Sequence, residues 1–78
     1  MPDENVVFLP SDYSYWVEYS HEDQAFIARV VEFPSLVAHA LTTLGAVAEL
    51  GGVVAVVLDD LSDSSETIPV PILPVNRR

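Results

Sequence analysis

The sequence predicts an α+β domain in which a three-stranded antiparallel meander precedes one helix. Three observations carry this. Apolar and polar residues alternate with period two across residues 13–20 and again across 25–31. The run FIARVVEFPSLVAHA is interrupted once, at Glu32-Phe33-Pro34-Ser35. From Thr43 onward, apolar residues recur at three- and four-residue spacing.

Residues 1–12 carry Pro2, Pro10 and several acidic or turn-forming residues without periodicity, and read as a flexible arm. The foldable domain spans 13–71, and 72–78 form a tail. In the first strand Tyr13, Tyr15, Val17 and Tyr19 share one parity, and Ser14, Trp16, Glu18 and Ser20 the other. His21-Glu22-Asp23-Gln24 is a polar tetrad that suits a hairpin connection, although it lacks the Asn-Gly signature. The second strand, 25–31, places Phe26, Ala28 and Val30 on one face and Ile27, Arg29 and Val31 on the other. Arginine can lay its aliphatic stem along a sheet and keep its head in water, which marks the Arg29 face as the less buried one.

Pro34 cannot donate to a ladder and biases Phe33 toward extended geometry, so residues 32–35 read as a corner, followed by a short third strand over 36–40. Thr42 or Thr43 then caps a helix whose stripe runs through Leu44, Val47, Ala48, Gly51, Val54, Leu58 and Leu61. Taken locally, GGVVAVVL suits a turn and a buried strand, because Gly51, Gly52 and the β-branched run oppose helix formation. The stripe crosses the glycines without changing phase, and this selects a helix over 43–61. The glycines would also let such a helix lie close on the sheet. Asp59 and Asp60 fall in its last turn, against the helix dipole. Residues 62–67 read as a polar loop. Prolines at alternate positions leave IPVPILP, 68–74, either a short fourth strand at the edge or an extended arm.

Composition narrows the function classes. Twelve Asp and Glu stand against three Arg and no Lys, giving a net charge of −9 on 78 residues. A field of that sign repels phosphate backbones and attracts basic surfaces, so direct nucleic-acid binding is not expected. With no cysteine there is no thiolate nucleophile or disulfide. The acidic N-terminus lacks a secretory pattern, and the longest apolar run, 53–58, is far below the ~20 residues of a membrane helix. A cytoplasmic protein without membrane contact is the expectation.

Catalytic patterns are sparse. The two histidines, His21 and His39, lack ligand spacing, no serine sits in a nucleophile elbow, and Gly51-Gly52 has no lysine to reach a phosphate. Neither an enzyme nor a cofactor is expected. A weak alternative is a metal held by both histidines with Glu22 or Asp23.

The run YWVEYSHEDQAFIARVVEFPSLVAHA, the Thr42 to Ala46 spacing and the closing Ile68-Pro69-Val70-Pro71 resemble the N-terminal domain of HicB-type antitoxins and their stand-alone HicB-like relatives. The resemblance implies three antiparallel strands, a helix packed across one face, a possible short final strand, and an oligomer, usually a dimer. It implies a binding module that masks a small basic HicA-type, mRNA-cleaving toxin. Many members add a DNA-binding domain; these 78 residues show none, so operon repression is not expected of them. Ser35 and Ala40 stand where the family commonly has glycine, and Gly45 where it commonly has an acidic residue that would help cap the helix.

The candidate contacts for a basic partner are Glu18, Glu22, Asp23 and Glu32, with Trp16 and Phe33 as aromatic anchors. The alternative is a stand-alone homo-oligomer without a toxin, associating through Tyr13, Tyr15 and Val17, the edge strand, or the Val-rich helix.

Overall fold

A computed structural model describes residues 8–74. Three antiparallel strands, β1 (Tyr15–Ser20), β2 (Ala25–Val30) and β3 (Phe33–Ala40), lie in the order β1-β2-β3 and are followed by one helix, α1 (Thr43–Asp63). This is the α+β arrangement the sequence predicts. The first seven residues of the expected arm lie outside the described residues, as do 75–78 of the tail. From Pro10 the arm is regular: Pro10–Asp12 form a 3-10 turn, in which Leu9 N–H donates to Asp12 Oδ2 at 2.8 Å.

Alternation builds the hairpin. Tyr15 pairs with Val30 and Ser20 with Ala25, so the connection is the four residues His21–Gln24. Ser20 Oγ accepts from Asp23 N–H at 3.1 Å, closing the turn with a side chain, and Gln24 takes the left-handed conformation (φ 52°) that glycine would adopt more readily.

The corner differs from expectation. The turn is Val31-Glu32, and β3 begins at Phe33 with Pro34 inside it. An edge strand tolerates a proline because its outward N–H needs no partner. The register slips between Arg29, which pairs with Val37, and Val30, which pairs with Phe33. Pro34, Ser35 and Leu36 bulge from the ladder, and the bulge turns Phe33 into the core.

α1 starts where capping predicts, at one of the two threonines the sequence offered, and ends beyond the expected Leu61. Thr42 is the N-cap, and its Oγ1 accepts from Gly45 N–H at 2.9 Å. A Cβ on Gly45 would lie 2.8 Å from that oxygen, so the cap itself asks for a glycine there. Gly51 and Gly52 face open space, and close approach to the sheet is not their role. The helix runs two residues past Leu61, and Ser65 terminates it in the left-handed conformation (φ 60°), with Glu66 N–H donating to Leu61 O at 3.0 Å.

The core lies between α1 and one sheet face. Tyr13, Ala28, Val30, Phe33 and Ala38 meet Ala46, Leu50 and Val54, with Phe26, Leu36, Val57 and Leu61 around them. Leu50 and Val54 are fully buried; burying such side chains contributes about 1.5–3 kcal/mol each. No fourth strand forms among the described residues. Residues 68–74 cross the core's end as a strap: Tyr13 Oη donates to Pro69 O at 2.8 Å, Pro71 is buried, and Ile72 N–H donates to Glu32 Oε2 at 2.9 Å. Prolines 69, 71 and 74 have no N–H to offer a ladder, and the backbone groups of Pro69 and Ile72 are taken instead by the side chains of Tyr13 and Glu32.

Candidate functional site

With α1 on one face, the other face of the sheet stays bare. Strand parity and register decide what it shows. Trp16 lies opposite Arg29, and Arg29 opposite Val37; one row on, Glu18 lies opposite Ile27, and Ile27 opposite His39. Trp16 is 48% exposed, Val37 is exposed, and Ile27 is buried by its neighbours although it belongs to this face. An exposed tryptophan beside apolar neighbours has the composition of an interface anchor.

Charge rings this patch. Arg29 Nε lies 3.4 Å from Glu18 Oε2, and His39 Nε2 lies 3.9 Å from Asp23 Oδ2, an ion pair when the imidazole is protonated. Both pairs are half exposed and hold the fold by at most about 1 kcal/mol each. Glu22 and Asp23 stand exposed in the β1–β2 turn. Arg29 is the sole Lys or Arg among the described residues, so the rim is acidic.

The structure brings four of the six expected contacts together: Trp16 and Glu18 on the bare face, Glu22 and Asp23 at its turn end. Glu32 and Phe33 are at the opposite end and serve the fold instead. Phe33 is 7% exposed and meets Tyr13 edge-to-face, ring centroids 5.1 Å apart, which leaves it no surface for a partner. Glu32 accepts from Ser14 N–H at 3.0 Å through Oε1 while Oε2 holds Ile72. Burial pushes the Glu32 carboxyl upward, but hydrogen bonds from Ile72 and Ser14 outweigh it and hold the group below its ordinary value.

Val37 and His39 also belong to the bare face, and sequence reading passed over them. Their parity within 36–40 carried the signal, but the register that aligns it with Trp16 and Arg29 is long-range. The oligomer alternative loses part of its surface: Tyr13 is 5% exposed, and Tyr15 and Val17 pack on the core under α1.

Among the described residues, no group of three or more His, Asp and Glu side chains could hold a metal ion. His21 packs edge-on against Tyr19, centroids 5.0 Å apart. No helix among the described residues is long and apolar enough to cross a membrane. No family model, no curated protein and no solved structure matches the chain.

Proposed function

We propose that this chain is a binding module of the HicB antitoxin type, which takes a small, basic, HicA-type RNA-cleaving toxin on the bare sheet face and blocks it by occlusion. The observation that carries the reading is that face: an exposed Trp16 on its β1 edge, and Glu18, Glu22 and Asp23 along its rim, in a chain of net charge −9. A desolvated tryptophan is the kind of residue that dominates interface energies, and an acidic rim accelerates encounter with a basic partner. The β-β-β-α order supports the same reading, since the resemblance in the sequence implies it.

RNA cleavage by a HicA-type ribonuclease, titrated with this protein, tests the proposal. Cleavage is expected to stop near stoichiometric addition. Trp16→Ala is expected to weaken binding by about 2 kcal/mol or more, roughly 30-fold in Kd. Glu22→Lys with Asp23→Lys should slow association and flatten its salt dependence. Cleavage that continues with the protein in excess, or charge reversal without effect on affinity at low salt, would refute the proposal.

A further inference from the structure

Helix α1 is apolar on both sides. Ala46, Leu50 and Val54 enter the core, yet the opposite face carries Leu44, Ala48, Gly52, Ala55 and Val56, all exposed. Leu44 is 82% and Val56 61% exposed. A helix that meets the core on one side is ordinarily polar on the other, and Glu49 is the only charged residue on α1 before Asp59.

The ends of α1 are also unmatched. Its first turn has no acidic residue and its last turn no basic one, while Asp59, Asp60 and Asp63 crowd the C-terminal end, where the dipole is already negative. The face, with its acidic end, is complementary to itself turned end for end. We propose that α1 packs antiparallel against α1 of a second copy, about a two-fold axis at Gly52.

In that register Ala48 meets the partner's Val56, and Leu44 lies by the partner's Asp60. Leu44, Ala48, Gly52, Val56 and Asp60 form a four-residue ridge, the kind that interdigitates with its own copy at a crossing angle of about −50°. Gly52 has open space where a side chain would stand, and an open groove of about 500 Å³ beside the ridge, lined by Ala40, Gly45, Ala48, Glu49 and Gly52, receives the second helix. Asp59 and Asp63 come to the partner's first turn, where the dipole is positive and no acidic residue competes. A parallel pairing would instead set the two acidic ends side by side. The bare sheet face takes no part, so this inference stands independently of the toxin reading.

The full chain has no cysteine, so Gly52→Cys introduces a single thiol. A short bismaleimide is expected to join two copies through it, doubling the 8.5 kDa mass, while Glu22→Cys stays uncoupled. In sedimentation equilibrium the unmodified chain is expected as a dimer. Val56→Asp should weaken dimerisation about 30-fold or more, with helical circular dichroism retained; Val37→Asp, on the bare sheet face, should leave it unchanged. Asp60→Lys with Asp63→Lys should also weaken the dimer several-fold, although it suits the helix dipole of each monomer. The proposal is overturned by a monomer at millimolar concentration, by mass gained only with a different protein, by a dimer indifferent to Val56→Asp, or by Gly52→Cys that does not couple.

Discussion

Glu32 holds together three parts of the chain that the ladder leaves apart. Its two carboxylate oxygens take Ser14 N–H, just before β1, and Ile72 N–H, in the C-terminal strap. The hydrogen bonds favour the charged form, so the folded state holds its proton less tightly than the unfolded chain, whose glutamates titrate near about 4.3. Stability from this group is therefore present above that value and lost as pH falls through the lowered folded value. Glu32→Gln is expected to cost about 1–2 kcal/mol at neutral pH, and the gap from wild type should narrow at acid pH, below the ordinary glutamate range. Urea denaturation at the two pH values measures this; an equal gap at both would show that charge is not what matters. Tyr13 bears on the same place from the other side: burial first, and then the Glu32 charge, raise its phenol above the ordinary value, and its hydroxyl donates to Pro69 O.

At the scale of elements, the glycines of α1 differ in what an added side chain would meet. Gly45 lies where any side chain would collide with the cap oxygen of Thr42, whereas Gly51 meets nothing within 4 Å. Gly51→Ala is thus expected to stabilise by about 0.5–1 kcal/mol through helix propensity. Gly45→Ala should destabilise despite the same propensity gain, because displacing the Thr42 hydroxyl forfeits a cap worth about 1 kcal/mol. Thermal melts of the two variants should move in opposite directions; a shared rise would mean that the cap yields at no cost. β3 presents a similar contrast: Pro34 reads as a strand breaker, yet the edge position and the bulge accommodate it, and the strand starts one residue before it.

For the whole molecule, the governing facts are its size and its charge. A domain of roughly this length buries only about 60% of its unfolded surface, and with one helix on one sheet the layers leave Trp16 on one side and Leu44 and Val56 on the other uncovered. Net charge of −9 adds self-repulsion to the compact state. Raising salt from about 10 mM to about 150 mM shortens the screening length from roughly 30 to 8 Å, and is expected to raise the melting temperature at fixed protein concentration. A fall would mean that ion pairs such as Glu18 with Arg29 outweigh the repulsion.

The sequence by itself determined the element types, because each depends on periodicity inside a short window: alternation for β1 and β2, three-four spacing for α1, and a threonine at 42 or 43 for its cap; the expected stripe, however, named Leu44 and Ala48, which are exposed, in place of Ala46 and Leu50, which are buried. It also determined the acidic field, since charge adds up regardless of fold. Helix and strand were both open for residues 51–57 on local grounds, and the core decided, taking Leu50 and Val54 from a single helical face. Only the tertiary structure decided which residues are surface. Trp16 and Phe33 read alike as aromatic anchors, but parity leaves Trp16 on the bare face while the slipped register between Arg29 and Val30 turns Phe33 inward. Glu18 and Glu32 read alike as rim carboxylates, but Glu32 faces N–H groups 18 and 40 residues away in sequence. Periodicity says which residues share a face; what covers that face depends on contacts between distant segments, and no short window of sequence contains both partners.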